Sequence, residues 1–452
     1  MAKVFPFRAF RYNPAHAPFE DVLTQPYDKI SPAMQDKYYA ANPHNLITVE
    51  KGRVHPSDAP GNNVYTRAAA AIQEWIRNGI VVQDPAASFY GYTQEYTVPG
   101  TNERQTRRGF IGAGQLEDYS AGVIYRHEHT LSGPKADRLE LLRHTQMSTG
   151  QLFLIYSDAQ KRVDAVLAKV EKWTPPATEM TDEYGVIHRL WVISDAERVR
   201  AIQGAMVDQK LVIADGHHRY ETALNYRNER RKQAGAVIAE APYERAMMTL
   251  INTQGAGLTI LPTHRVVAKL REFNWPELRR HLEPWFTAES MEFADENGRQ
   301  KAREEFVSKL SAARSKRAIG AYPAVADKQK RAFYVLTLRE GVDLSRLLHN
   351  VSPLQRELDV VLLHEGILEP GLGITPQSVK AEANLSYERE AGAALDAVDN
   401  GAAQITFLLN ACDVEEVIKI ATAGEVMPQK STDFYPKLMS GITMYSVDPE
   451  RA

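Results

Sequence analysis

Five elements that alternate between strand-like and helix-like patterns occupy residues 186 to 250. The apolar runs VIHRLWVI, LVIA and RAMMTLI predict three strands, and the intervening DAERVRAIQGAM and RYETALNYRNERRKQ predict two helices. This alternation is typical of an α/β unit, in which helices cover a sheet built from non-adjacent parts of the chain. We therefore predict a mixed α/β (α+β) fold with an α/β core and additional α+β and helical regions.

The rest of the chain divides into regions around this core. We predict an N-terminal α+β region over residues 1–120, a ligand-binding core over residues 121–265, and a small α+β domain over residues 266–345. Residues 346–452 read as a mainly helical region that ends in a closing tail. The third region rests on a long charged helix, ADENGRQKAREEFVSKLSAARSKR, followed by the strand RAFYVLTLR.

The amino-acid composition limits the kinds of partner that this chain is expected to bind. With 54 Lys plus Arg against 57 Asp plus Glu, no global field draws the surface to nucleic acid or anionic lipid. Cys412 is the single cysteine, which excludes disulfides within one chain and cysteine-based zinc sites. The start MAKVFPFRAFRYNP lacks the apolar run of a signal peptide. We expect a cytoplasmic bacterial protein that acts on a small-molecule substrate and binds neither nucleic acid nor membrane.

Five polar or flexible residues, Asp215 to Arg219, follow the predicted strand LVIA, and the last of them begins the predicted helix RYETAL. The carboxyl end of a strand followed by the amino end of a helix is where open α/β sheets bind ligands. Gly216 allows a tight turn, and the first amides of the helix attract anions. His217, His218 and Arg219 add further hydrogen-bond donors. The stretch from Asp215 to Arg219 therefore predicts a turn that binds phosphate or nucleotide.

Asp215 needs a separate role, because a carboxylate repels phosphate. It can hold a metal such as Mg²⁺, take a proton as a catalytic base, or orient a histidine. A purely structural alternative is that Asp215 caps the helix and Gly216 only turns the chain. The combination of all five residues at one strand-to-helix junction favours the functional interpretation.

The segment YRHEHTLSGPKADRLELLR carries a second group of candidate residues. Glu128 is a candidate general base or metal ligand, and Lys135 and Arg138 are candidate clamps for an anionic substrate. His127 and His129 would share one face if the segment were a strand, and His127 is a candidate substrate contact. The alternative is a solvated loop that leads into an amphipathic helix.

Two further stretches carry weaker signals. LPTHRVV places His264 and Arg265 after an apolar strand, and both are candidate substrate contacts. MPQKSTDFYPKLMSG places Lys430 and Lys437 where either could reach an anionic ligand, and Lys430 is the candidate retained. No glycine-rich loop precedes Lys430, so a Walker-type site is unsupported. An ordered tail packed into the core is an equally good interpretation of this stretch.

Eight segments together resemble, over nearly the whole chain, the bacterial family known as domain of unknown function 1015. They are PFRAFRYNP, QPYDKISP, NPHNLITVEKG, RRGFIGAGQLEDY, HEHTLSGPKADRLELLR, IADGHHRYETAL, LPTHRVV and MPQKSTDFYPKLMSG. Members of this family are often encoded beside serine biosynthesis genes. The resemblance implies a small hydroxylated or phosphorylated metabolite as the ligand.

The segment IADGHHRYETAL is also similar to the phosphate-contacting turn of the ParB/sulfiredoxin superfamily, most of all to its free serine kinase branch. In that superfamily the turn holds CTP in partition proteins and ATP or ADP in others. The resemblance implies a ParB/sulfiredoxin-like core over residues 121–265. Sulfiredoxin carries a reactive cysteine in its turn, where this chain has histidine, so sulfinic acid repair is not expected.

The leading functional hypothesis is a phosphoryl-transfer enzyme, either a kinase or a phosphatase. A nucleotide, ADP or ATP with Mg²⁺, would lie along residues 215–219, and Glu128 or Asp215 would deprotonate a small hydroxylated metabolite such as serine. Phosphoserine would be the substrate in the reverse direction. Such catalysis depends mainly on positioning and on charge neutralisation.

Two alternatives from other classes stay open. One is a metal-dependent hydrolase that uses imidazole ligands, the candidates being His127, His217, His218 and His264. The other is a non-catalytic sensor of a nucleotide or metabolite, which would gain stability from its ligand without turning it over.

Overall fold

The computed structural model describes residues 1–128, 130, 132–325 and 330–451. The chain forms two compact units. Unit 1 consists of Met1–Thr259 together with Phe434–Ala452, and unit 2 consists of Ile260–Asp433. The second unit is therefore inserted into the first, and the last residues of the chain return to unit 1.

Unit 1 alternates strands and helices along most of its length. Its strands before residue 259 are β1 (Val4–Phe5), β2 (Phe10–Tyr12), β3 (Val81–Gln83), β4 (Phe89–Thr97), β5 (Arg104–Gln115), β6 (Ile124–Tyr125), β7 (Met147–Ser148), β8 (Leu152–Tyr156), β9 (Thr178–Thr181), β10 (Ile187–Ile193), β11 (Leu211–Asp215) and β12 (Arg245–Asn252). Its helices are α1 (Phe19–Val22), α2 (Pro32–Ala41), α3 (Ile47–Glu50), α4 (Val64–Arg77), α5 (Ser132–Thr145), α6 (Arg162–Trp173), α7 (Ala196–Met206) and α8 (His217–Ala234).

A nine-stranded mixed sheet forms the centre of unit 1. Its strand order is β6-β11-β8-β12-β5-β4-β10-β9, with β1 pairing on β5. Strand β11 is parallel to β6 and antiparallel to β8, whereas β12 is parallel to β8. The sequence LFLIY of β8 is buried throughout, as expected for a central strand covered on both faces. The predicted mixed α/β class is confirmed.

The predicted order of elements from β10 to β12 is also confirmed. Strands β10, β11 and β12 alternate with helices α7 and α8, as the apolar periodicity indicated. One boundary differs from the prediction, because α8 begins at His217 and not at Arg219. The two histidines therefore lie in the first turn of the helix, and the side chain of His217 is buried there.

Unit 2 is built around a six-stranded antiparallel sheet. The strands from residue 259 to residue 435 are β13 (Thr259–Leu261), β14 (His264–Val267), β15 (Phe286–Phe293), β16 (Ala318–Pro323), β17 (Arg331–Leu338), β18 (Leu385–Glu388), β19 (Ile405–Leu408) and β20 (Asp433–Tyr435). The sheet order is β15-β17-β16-β19-β14-β18. The helices are α9 (Trp275–Leu282), α10 (Glu296–Ala312), α11 (Leu344–Leu347), α12 (Asp359–Leu363), α13 (Glu369–Leu372), α14 (Pro376–Lys380), α15 (Ala391–Asp399) and α16 (Val414–Thr422).

The core of unit 2 contains the stacked rings of Phe306 and Phe333, whose centroids lie 5.1 Å apart. Phe306 belongs to α10 and Phe333 to β17, so the long charged helix and the strand RAFYVLTLR occur as the sequence predicted. Within residues 1–128, 130, 132–325 and 330–451, no helix has both the length and the apolar character that a membrane span requires.

The C-terminal residues of unit 1 add a last strand, β21 (Tyr445–Ser446), which pairs antiparallel with β7. Just before it, Ser440 forms a β-bridge with Thr24, and Met444 forms one with Phe10. The end of the chain is thus part of the folded body of unit 1.

Candidate functional site

The junction between β11 and α8 is formed by a glycine in the left-handed region. Gly216 has φ +96°, a conformation that side chains other than glycine rarely adopt. A Cβ atom at this position would lie 3.2 Å from Nε of Arg219 and 3.2 Å from Cδ2 of Leu152. The backbone therefore turns tightly enough to bring Asp215, the last residue of β11, next to the first turn of α8.

Asp215 is held between two cations. Its Oδ2 accepts a hydrogen bond from Nη2 of Arg219 at 2.9 Å, and its Oδ1 accepts one from Nζ of Lys437 at 3.0 Å. Burial acts to raise the pKa of Asp215, but the charges of Lys437 and Arg219 outweigh it and hold that pKa well below its usual range. Asp215 is consequently an anion at neutral pH and a weak proton acceptor, which favours an electrostatic role over that of a base.

Arg219 connects the turn to the start of β8. Its Nη1 donates to the backbone carbonyl of Gln151, while the ion pair with Asp215 contributes to a raised pKa of the guanidinium, against the effect of burial. A Cβ built on Gly150 would lie 3.1 Å from Nη1 of Arg219 and 3.5 Å from Oε1 of Glu50. A guanidinium and a carboxylate thus flank the same glycine.

Glu50, the last residue of α3, is a site residue that the sequence analysis missed. It is 2% exposed, and its two carboxylate oxygens accept hydrogen bonds from Oγ1 of Thr149 at 2.6 Å and from Oγ of Ser440 at 3.1 Å. The available signal was a lone carboxylate at the end of the apolar run NLITVE. Glu50 therefore places a buried carboxylate, held by two hydroxyl groups, beside Gly150.

Two of the predicted imidazoles, His127 from the segment before α5 and His217 from the turn, are neutral at physiological pH. His127 is fully buried, and its Nδ1 donates to the carbonyl of Ile213 at 2.8 Å. Burial lowers the pKa of His127 to about 4, and burial also lowers the pKa of His217, whose ring packs edge-on against His127 at 4.7 Å. His218, half-buried, follows in α8. His127 and His217 therefore offer dipoles and donors and no positive charge.

The charged segment before and within α5 reaches the site in part. Nη1 of Arg138 donates to the backbone carbonyl of Glu50 at 2.9 Å, and its guanidinium lies 4.4 Å from the ring centroid of Tyr27. Nζ of Lys135 instead lies 2.8 Å from Oε2 of Glu221 on α8. Glu128 is half-buried in the bend between β6 and α5. His129 lies outside the described residues.

Three predicted substrate contacts belong to unit 2. His264 is 3% exposed, its Nδ1 accepts from the amide of Leu409 at 3.3 Å, and burial lowers its pKa to about 4. Arg265 is fully buried and donates to the carbonyl of Thr263 and to Nε2 of His364. Lys430 has a left-handed backbone with φ 57°. Contact of these three with a ligand at the turn stays a prediction.

The described residues do not provide the donor set of a resident metal. Across residues 1–128, 130, 132–325 and 330–451, no group of three or more His, Cys, Asp or Glu side chains is placed to hold a metal ion. Each oxygen of Asp215 faces a cation, and His127 uses its Nδ1 on a carbonyl. These residues fit neither the metal-dependent hydrolase considered above nor a Mg²⁺ ion bound by the protein alone.

Fold and site together define an α/β protein with a charged strand-to-helix junction. The model of a family described as "Protein of unknown function (DUF1015)" matches residues 4–361. The chain belongs to this family, and the resemblance stated from its motifs is confirmed. No functionally curated protein matches the sequence significantly.

Several solved structures share a distant likeness with the chain. A conserved hypothetical protein from Pyrococcus furiosus is 14% identical, with 72% of this chain and 93% of that chain covered and a TM-score of 0.33. A free serine kinase in complex with AMP is 13% identical, with coverages of 72% and 89% and a TM-score of 0.32. SbnI with C-terminal truncation from Staphylococcus aureus is 11% identical, with coverages of 73% and 85% and a TM-score of 0.32.

Free serine kinase and SbnI belong to the ParB/sulfiredoxin-like fold. At these identities and TM-scores, the likenesses carry no argument about what this chain binds or catalyses.

Proposed function

We propose that this protein is a phosphoryl-transfer enzyme that binds a nucleotide phosphate at the junction of β11 and α8 and acts on a small hydroxylated metabolite. The observation that carries the proposal is the position of Arg219 and Glu50 around Gly150. Nη1 of Arg219 and Oε1 of Glu50 lie 3.1 and 3.5 Å from the position that a Cβ atom on Gly150 would occupy, so a cation and a buried carboxylate face the same point. These are the two kinds of group that transfer of a phosphoryl group to a hydroxyl requires.

The phosphate side of the site combines two sources of positive potential. The first amides of α8, an 18-residue helix, lie at the positive end of its dipole. Arg219 in the same turn presents a guanidinium, which binds phosphate oxygens with charge-assisted hydrogen bonds. We assign ADP or ATP to this side, as the similarity of IADGHHRYETAL to a nucleotide-binding turn also suggests.

The hydroxyl side of the site is formed by Glu50. In the kinase direction, Glu50 accepts the proton of the substrate hydroxyl, the hydroxyl oxygen forms a bond to the terminal phosphorus, and the bond from phosphorus to the bridging oxygen breaks. The nucleotide leaves with one phosphate fewer, and Glu50 later releases the proton to solvent. Glu50 suits this task better than Asp215, because Lys437 and Arg219 stabilise the anionic form of Asp215.

The substrate class that we propose is serine or a serine-like hydroxy amino acid. Phosphoserine would be the substrate if the enzyme runs in reverse. The enzyme and the sensor alternative differ in the role of Glu50, because only the enzyme needs a group that accepts the proton of the substrate hydroxyl.

The test is a turnover assay with purified protein. ADP or ATP, with and without Mg²⁺, is incubated with a panel of hydroxy amino acids and their phosphates, and products are followed by phosphorus NMR and mass spectrometry. We expect transfer with serine or phosphoserine. No turnover across the panel would overturn the proposal, and nucleotide binding without turnover would point to the sensor.

The decisive variant is Glu50→Gln. We expect kcat to fall about 100-fold or more, the typical contribution of general base catalysis, while nucleotide affinity stays unchanged. The matched control is Glu140→Gln, at a half-buried position on α5 where the carboxylate pairs with Arg143, and it should keep full activity. Circular dichroism should show the same fold for both variants, since glutamine has the shape of glutamate.

A further inference from the structure

The C-terminal part of unit 1 runs along the candidate site although the family model ends well before it, at residue 361. We call residues 434–446 the closing segment. Its backbone is hydrogen-bonded to other parts of unit 1, among them Thr149, whose hydroxyl donates to Glu50. The amide of Gly441 donates to the carbonyl of Thr149 at 2.9 Å, and the amide of Ser440 donates to the carbonyl of Thr24 at 2.9 Å.

Buried side chains hold the backbone of the closing segment in place. Gln94, Arg107 and Gln151 are each 1% exposed. Gln94 donates to the carbonyl of Lys437 at 2.7 Å, and Gln151 donates to the carbonyl of Met439 at 3.1 Å. Such bonds satisfy backbone groups that would otherwise be buried without partners, so they fix the path of the segment.

Of these three side chains, Arg107 is the one whose burial costs the most free energy, because it is charged. It donates to the carbonyls of Tyr435, at 3.1 Å, and of Pro436, and its guanidinium lies 4.7 Å from the ring centroid of Phe153. Burial lowers the pKa of Arg107 to about 10, so the residue is still charged at neutral pH. Burying a charge is expensive. Here the buried charge binds the two residues that immediately precede Lys437.

The bonds from Gln94 and Arg107 to the backbone of residues 435–437 position Lys437 at the site. Its Nζ lies 3.0 Å from Oδ1 of Asp215, and its side chain is 10% exposed. Asp215 thereby holds the ammonium of Lys437 and the guanidinium of Arg219 side by side, next to the first turn of α8. Two neighbouring cations at a helix N-terminus complement the charge of a phosphate chain.

We infer that Lys437 is a phosphate-binding residue of the proposed nucleotide site and that Arg107 is a positioning residue that acts through the backbone of Tyr435 and Pro436. This inference rests on the proposed function and deepens it. In this inference the closing segment contributes a ligand-binding residue to the site. It also explains why a lysine at the far end of the chain is built into unit 1.

The experiment measures the dissociation constant of ADP and of inorganic pyrophosphate by calorimetry on the full-length protein. For Lys437→Met we expect binding about 10 to 100 times weaker, since one charge-assisted hydrogen bond is lost. Lys437→Arg keeps the charge and should restore affinity to within about threefold of the wild type. Lys37→Met, at an exposed position on α2, is the matched control and should bind like the wild type.

The role of Arg107 is tested by a double-mutant cycle. If Arg107 acts through Lys437, then Arg107→Met weakens ADP binding in the wild type but adds little in the Lys437→Met background. Additive losses would overturn the positioning role. If Arg107→Met does not fold, Gln94→Leu, which removes the bond to the carbonyl of Lys437, replaces it in the cycle.

The outcomes separate this inference from the proposed function. Wild-type protein that binds neither ADP nor pyrophosphate would overturn both. Wild-type binding that Lys437→Met leaves unchanged would overturn the role of Lys437 and leave the phosphoryl-transfer proposal standing. Weaker binding in Lys437→Met with rescue by Lys437→Arg would support both.

Discussion

Asp215 in unit 1 and Asp359 in unit 2 are both paired with an arginine, yet their pKa values shift in opposite directions. Arg219 lies 2.9 Å from Asp215, and Arg317 lies 2.8 Å from Asp359. Burial raises the pKa of Asp359, and Arg317 does not offset it. At Asp215 burial acts in the same direction, but Lys437 adds a second cation and the pKa falls.

The difference separates a carboxylate that is contacted by two cations from one that forms a single ion pair. In unit 2, Arg317 donates to the carbonyls of Arg356 and Leu358 as well as to Asp359, much as Arg219 in unit 1 donates to the carbonyl of Gln151 as well as to Asp215. The pair of Arg317 and Asp359 lines a cavity of about 440 Å³ whose wall carries both signs of charge, including Arg314 and Glu416. In unit 1, by contrast, two cations converge on one carboxylate, which leaves the junction favourable to an anion.

The largest expected effect concerns the stability of these two aspartates. At pH 7, Asp215→Asn leaves Lys437 and Arg219 without their shared counter-charge, and we expect a loss of about 3 kcal/mol in the free energy of unfolding. Asp359→Asn removes a carboxylate that burial disfavours, so we expect a change below about 1 kcal/mol in either direction. Urea denaturation followed by circular dichroism measures both.

The two aspartates should also change the stability of the protein with pH in opposite directions. Because the pKa of Asp215 is lowered by folding, its contribution is present above the unfolded value of about 4 and is lost as the pH falls below it. Because the pKa of Asp359 is raised, its ionisation costs stability as the pH rises above about 4. A larger loss for Asp359→Asn than for Asp215→Asn at pH 7 would refute the contrast.

The local part of the site was predictable from the sequence, and the distant part was not. Asp215, Gly216 and Arg219 lie between an apolar run and a helical pattern, so strand, turn and helix follow from short-range signals. The start of α8 was misplaced by two residues because imidazoles were expected in a loop. His217 instead lies in the first turn of the helix with its side chain buried.

Glu50 and Lys437 depend on contacts that no local pattern encodes. Lys437 is 222 residues from Asp215 along the chain, and Thr149 is 99 residues from Glu50. Within MPQKSTDFYPKLMSG, nothing in the sequence distinguishes Lys437 from Lys430 as a candidate. The fold distinguishes the two lysines, because Lys430 belongs to unit 2 and Lys437 to the part of the chain from Phe434 onward that belongs to unit 1.

Burial also shifts the pKa of a second titratable group in unit 1, His127. The pKa of His127 falls from its ordinary value of 6.5 to about 4, so the unfolded chain binds a proton in that range and the folded chain does not. Stability should therefore drop by about 2 kcal/mol as the pH falls from its ordinary pKa toward the lowered one. His127→Asn, whose amide can still donate to the carbonyl of Ile213, should flatten this dependence.

Thermal unfolding between about pH 7 and pH 4 provides the measurement, and His16→Asn at an exposed position is the control. The same acid slope in His127→Asn and in the wild type would show that burial of His127 is not its cause. His264 and His364 in unit 2, whose pKa values burial lowers to about 4 and about 3, would then be the groups to replace.

The smallest expected effect comes from an ion pair that faces solvent. Arg143 on α5 is 40% exposed, and its Nε donates to Glu229 at 3.0 Å. Arg143→Met should change the free energy of unfolding by less than about 1 kcal/mol, and about 1 M salt should remove most of that change. This pair joins an arginine to a carboxylate, as the pair of Arg219 and Asp215 does, but its side chains are more exposed and Arg143→Met leaves no two cations without a counter-charge. If Arg143→Met cost as much as Asp215→Asn, exclusion from water would not explain the cost at Asp215. The contrast between Asp215 and Asp359 would then need a different cause.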